Sequence, residues 1–268
     1  MKLDLDQAWQ SGLRFTRNNA GLLTVIAGLL FFLPAAVFGL MFVPPEVPEN
    51  ATWDEMVTIL GAFYGETWWI MLITLVLSTL GSLAIYRLAA SRDDRTVSGA
   101  LQDAVKGLLP MIGASLLVGI PVGLLFAIPL AIGGVGVFLI LFVIPVAIWI
   151  SMRTILSGPV LMAERTNNPV TILKRSFAIT QGNSLRIFFF LLLLVIAAAI
   201  VMAIIGAVLG LVFIAVAGSE TGEQLALIVS AVLESAVTVV VIACIAMIYR
   251  QLSAGQAGTT SVPPTVED

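Results

Sequence analysis

Six apolar runs alternate with polar segments along the chain, and each run is long enough to cross a bilayer as a helix. A hydrocarbon layer of about 30 Å takes about 20 helical residues. The runs at about 21–43, 67–88, 109–130, 137–156, 187–217 and 225–249 meet that length. Residues 109–152 hold no charged side chain, a stretch too long for one helix, so Gly133-Gly134-Val135-Gly136 reads as the turn of a tight hairpin. The fifth run exceeds what a bilayer needs and implies tilt or an extension beyond it. Pro34 is expected to kink the first run and to leave a backbone carbonyl for a neighbour. The pattern predicts an all-α membrane protein, a six-transmembrane-helix bundle over 1–252. A disordered tail, rich in Gly, Thr and Pro, is expected at 253–268.

Shorter amphipathic stretches lie between the runs. Leu5, Trp9 and Leu13, four apart, predict an interfacial helix before the first span, with its Trp at headgroup depth. Trp53, Met56, Ile59 and Leu60 predict a helix lying on the opposite leaflet. Val97, Leu101, Val105 and Leu108 share one face of another surface helix. A fourth starts with Asn168 as cap and Pro169 at its first position, carries Val170, Leu173 and Phe177 on its apolar face, and closes at Gly182-Asn183. The spans therefore come with amphipathic interfacial helices, mostly on one side.

Charge identifies that side. All 13 Lys and Arg fall in alternate gaps: Lys2, Arg14 and Arg17; Arg87, Arg92, Arg95 and Lys106; Arg153, Arg165, Lys174, Arg175 and Arg186; and Arg250. The other gaps hold only acids, among them Glu46, Glu55, Glu66, Glu220 and Glu223. Basic loops stay cytoplasmic, so both termini are expected inside. The first run is read as a span rather than a cleaved signal, because it continues past Pro34-Ala35-Ala36 to Val43.

Composition narrows the chemistry. At 59% apolar and 11% charged residues, the chain departs from globular usage toward membrane span. It has no histidine and one cysteine, Cys244, inside the last apolar run. The commonest general base, the commonest nitrogen ligand and any disulfide within the chain are therefore missing. No nucleophile elbow, zinc-protease helix or phosphate-binding loop is present in the sequence. The expectation is no enzyme, no cofactor, no metal and no nucleic-acid partner.

Two sets of residues stand out as candidates. Glu234 is the one carboxylate deep in a predicted span, where a charge costs a few kcal/mol and needs a partner or a proton. Ser230 and Thr238 flank it one helical turn away, and Thr74, Ser78 and Ser82 make a matching stripe on the second span. The two stripes are expected to face each other, as interhelical hydrogen bonds or as a polar site for a small transporter or permease component. Arg153, Arg165, Lys174, Arg175 and Arg186 form a candidate surface for anionic lipid headgroups, at about 1 kcal/mol per residue. Gly119-x-x-x-Gly123 and Gly206-x-x-x-Gly210 are candidate helix-packing motifs.

The stretch Gly158-Pro159-Val160-Leu161-Met162-Ala163-Glu164, followed by Leu173-Lys174-Arg175-Ser176-Phe177 and Gln181-Gly182-Asn183, resembles the inner loop of the glycerophosphoryl diester phosphodiesterase membrane-domain family. The order of elements from Trp9 to Arg250 is similar as well, down to the Phe-rich exit Arg186-Ile187-Phe188-Phe189-Phe190. The resemblance implies a six-helix bundle in a bacterial membrane. Some members carry a soluble phosphodiesterase domain with histidines and a divalent metal; nothing here matches it, so its activity is not carried over. The expected role is that of a non-catalytic integral membrane protein acting with membrane lipids or with another membrane protein.

Overall fold

The computed structural model describes residues 2–42, 45–48, 50–91, 96–132 and 136–260, without the side chains of Trp53, Val137, Glu220 and 256–260. Its elements are α1 (Leu5–Asn18), α2 (Ala20–Ala27), a π-helical turn (Gly28–Phe32), α3 (Leu33–Met41), α4 (Trp53–Ala90), α5 (Val97–Ile132), α6 (Gly136–Thr154), α7 (Ser157–Glu164), α8 (Pro169–Thr180), α9 (Ser184–Ala217) and α10 (Ser219–Thr260). No strand occurs among the described residues. Six helical segments are long and apolar enough to cross a membrane: Ala20–Met41, Asp54–Ala90, Val97–Ile132, Phe138–Glu164, Ser184–Ala217 and Thr221–Gly255. The chain is an all-α bundle of six candidate spans.

Local chemistry sets the boundaries. Asp4 caps α1 by accepting from the Gln7 N–H at 3.0 Å. Thr52 and Glu55 close a reciprocal capping box at the start of α4. Asn168 accepts from Val170 and Thr171 N–H, with Pro169 at the first helical position, as its sequence predicts. Gly182 leaves α8 at φ +77°, a conformation only glycine adopts without strain. Pro34 does not simply kink the first span. The helix ahead of it widens into the π-turn, where the Leu33 N–H reaches back to the Gly28 carbonyl, so the missing proline donor is absorbed by a shifted ladder.

Two expected surface helices, and part of the expected tail, turn out to be extensions of spans. Residues 53–66 continue directly into α4, whose 38 residues reach about 57 Å, nearly twice a hydrocarbon layer of about 30 Å. Residues 97–108 are the first turns of α5. Residues 253–260, expected in the tail, continue α10, while 261–268 lie outside the described residues, as do the hairpin turn at 133–135 and Arg92 to Arg95. Nothing between the caps breaks these helices, and a backbone in or near lipid gains by staying hydrogen-bonded to itself.

The buried faces are also rotated from those expected. On α1 the buried positions are Ala8, Gly12 and Phe15, with Leu13 exposed. On α5 they include Ala100, Ala104 and Gly107, with Val105 exposed. On α8 they are Ile172, Ser176, Ile179 and Thr180, with Val170 exposed. α1 runs antiparallel to the end of α10: the side-chain amides of Gln7 and Gln251 meet at 2.8 Å, and Gly12 packs on Cys244.

The core lies at one end of the bundle, the end that carries the basic residues. Its fully buried side chains are Leu83, Ile85 and Leu88 of α4, Leu156, Val160 and Leu161 around α7, Ile172, Ile187, and Cys244 and Ile248 of α10. Helix α7 is the hub. It forms the end of the candidate span Phe138–Glu164, its residues Ser157 to Met162 are all buried, and it packs against α4, α5, α8 and α10. Toward the opposite end α5, α6 and α9 present large apolar side chains outward, Phe138, Phe142 and Leu211 among them, as a lipid-facing surface does.

Candidate functional site

Glu234 and its stripe are not turned into the bundle. Glu234 is exposed, whereas Ser235, one residue and about 100° further round the helix, is the buried position. Thr74, Ser78, Ser82, Ser230 and Thr238 are all partly buried. The hydroxyls of Ser78 and Ser82 donate to carbonyls of their own helix, Leu75 at 3.1 Å and Ser78 at 2.8 Å. Ser235 does the same to Val232 at 2.8 Å. Helices α4 and α10 meet instead at their basic ends, where Tyr86, Ala246 and Tyr249 line one small cavity. Among the described residues the hydroxyls of Ser78 and Ser82 are satisfied within their own helix.

The five cations of the expected lipid surface divide into two groups. Three hold the protein together. Arg153 donates from Nη1 to the Phe177 carbonyl at 2.9 Å, while its own carbonyl accepts from Ser176 Oγ at 2.7 Å. Its guanidinium lies 5.3 Å from the centre of the Trp149 ring and 5.9 Å from that of Phe177, a pairing of cation with aromatic faces. Arg175 donates from Nε to Glu164 Oε1 at 2.8 Å, and the Tyr249 hydroxyl reaches the same oxygen at 3.1 Å. One carboxylate thus ties α7, α8 and α10. Arg186 donates to the Leu3 carbonyl at 3.1 Å, beside Asn183, whose side-chain oxygen accepts the Leu3 N–H at 2.9 Å. Arg165 and Lys174 are exposed and make no ion pair among the described residues.

Three residues of the stretch resembling a family motif make packing contacts. Gly158 lies under the Tyr86 ring, Glu164 is the three-helix tie, and Asn183 clasps the N-terminal segment.

Two basic concavities remain that sequence reasoning did not assemble. The first is a cleft of about 240 Å³ lined by Arg87, Asp103, Lys106, Arg165 and Asn167 with apolar neighbours. Arg87 Nε pairs with Asp103 at 2.6 Å, and Lys106 Nζ stands 3.9 Å from the same carboxylate. Among the described lining residues three cations face one anion there. The second is a groove of about 510 Å³ between α1 and the end of α10, with Arg14 and Arg250 among its lining residues and no carboxylate among them. The only signal for either lay in the sorted charges, which mark an end of the molecule but not which cations converge.

An excess of guanidinium and ammonium groups suits phosphate oxygens, which arginine grips with two parallel hydrogen bonds. No nucleophile with an adjacent base accompanies them in the residues lining either concavity. No group of three or more His, Cys, Asp or Glu able to hold a metal ion occurs among the described residues. No family model, no curated protein and no solved structure matches the chain.

Proposed function

We propose that this chain is a non-catalytic, multi-pass protein of a bacterial cytoplasmic membrane. Its basic end faces the cytoplasm and binds the phosphate-bearing headgroups of anionic lipids. The observation that carries the reading is the cleft in which, among the described residues, Arg87, Lys106 and Arg165 gather around Asp103. Its surplus of positive charge sits at the end where anionic headgroups of the cytoplasmic leaflet would lie. The motif at 158–183 supports the further reading of a stand-alone membrane region of the phosphodiesterase membrane-domain family, with its loop used as a packing element.

The test is lipid retention. Protein drawn from nanodiscs of mixed phosphatidylglycerol and phosphatidylcholine is weighed intact by native mass spectrometry. The wild type should keep phosphatidylglycerol in preference. Lys106→Ala with Arg165→Ala should weaken retention of the phosphatidylglycerol held at this cleft about tenfold or more, at about 1 kcal/mol per cation. Equal retention of the two lipids by the wild type would reject the proposal.

A further inference from the structure

We infer that the seam between α1–α2 and α10 is a seat for one anionic phospholipid molecule, with its headgroup between Arg14 and Arg250 and an acyl chain in the apolar groove that continues from there. This goes beyond the cleft of Arg87, Lys106 and Arg165 and uses none of its residues, so either can fail alone.

The seam has two compartments in sequence. The first is the polar groove, lined by Gln7, Ser11, Arg14, Asn18, Arg250 and Gln251 among others. The second is an apolar groove of about 400 Å³, lined among others by Ala20, Ala27, Gly28, Phe32, Val232 and Ala236. They abut. Asn19 borders the first and Ala20 the second; on α10, Met247 borders the first and Val240 the second, seven residues or about 10 Å along the helix. An occupant that fills both has a charged end and an apolar end in line, which is the shape of an amphiphile standing along a span.

Each compartment suits its half. Arg14 and Arg250 are exposed and make no ion pair among the described residues; Arg250 Nη1 has a long contact with Met247 Sδ at 3.9 Å. The nearby C-terminus of α1 contributes about half a negative charge at most, against two full guanidinium charges. In the apolar compartment small residues leave the slot open. Three hydroxyls border it, and two of them are already used, Thr16 on the Gly12 carbonyl at 3.0 Å and Ser235 on the Val232 carbonyl at 2.8 Å; Thr24 is the third. The charge selects an anionic headgroup over a zwitterionic one.

The experiment uses the full chain in nanodiscs of phosphatidylglycerol and phosphatidylcholine, with bound lipid counted by native mass spectrometry. Two variants address the two compartments: Arg14→Gln with Arg250→Gln, and Ala236→Phe, which fills the apolar slot and keeps both cations. Each should lower phosphatidylglycerol retention at least fivefold while the protein stays monodisperse, and Lys106→Ala with Arg165→Ala should leave this component in place. Soluble glycerol phosphate, the headgroup without a chain, should compete poorly and be indifferent to Ala236→Phe. If glycerol phosphate bound as well as the lipid, the site would be a free-phosphate site and the proposal would be overturned. Unchanged retention in either variant overturns it too. So would a chain ending at Thr260 that gains the lipid preference the full chain lacks, because the acidic last residues would then be the groove's own occupant.

Discussion

Gly158 has a Cβ position that would fall within the Tyr86 ring, which is itself buried and held by the core. Gly119, Gly123, Gly206 and Gly210 have open space at the same position. Gly158→Ala should therefore cost about 1–3 kcal/mol through overpacking, seen as a lower thermal midpoint in detergent. Gly119→Ala should be neutral or gain up to about 1 kcal/mol from helix propensity. A reversed order of the two midpoints would contradict the packing described. Spacing within one helix marked the wrong glycines, because tight approach is a property of two helices. Gly158 is tight on account of Tyr86, Gly81 on account of the Phe31 ring at 2.7 Å, and Gly12 on account of Cys244 at 2.6 Å. Glu234 was singled out as a buried charge for a related reason. Depth along a span is legible from the sequence, but which side of the helix is buried depends on its neighbours, and the neighbours chose Ser235.

Helices α1 and α5 share a lesson that runs opposite to soluble proteins. Their large apolar residues predicted the faces, yet small ones are buried: Ala8 and Gly12 in α1, Ala100, Ala104 and Gly107 in α5. A leucine is about as well solvated by lipid tails as by protein, so the choice between them falls to how closely backbones can approach. That also explains why caps and helix starts were readable and helix lengths were not. Thr52, Asn168 and Pro169 act locally, whereas α4 and α10 run on without a break, and α5 does so through Pro110, Pro121 and Pro129. The antiparallel packing of α1 on α10 gives a clean test. A Cβ on Gly12 would stand 2.6 Å from Sγ of Cys244, the chain's single cysteine. Gly12→Cys should close a disulfide with it under mild oxidation once the helices ease apart slightly, read as protection of both thiols from alkylation. Two freely alkylated thiols would place α1 elsewhere.

At the scale of the molecule, the basic end and the packed end are the same end. Helix number and charge sorting were written in the chain because each depends on one segment and its own solvent. The hub at α7 was not, since its burial comes from α4, α5, α8 and α10 together. The sorted charges predict that a reporter fused after Asp268 reads cytoplasmic and one inserted near Pro48 reads external; the reverse would overturn the orientation. The clasp of Leu3 by Asn183 and Arg186, and the meeting of Gln7 with Gln251, also fix an order of events in biogenesis. Helix α1 cannot dock until α10 has left the ribosome. Between those moments the nascent chain carries an unpaired amphipathic α1 and a core lacking one wall. Insertion of the spans and closure of the fold are thus separate acts, and the second waits on the synthesis of α10.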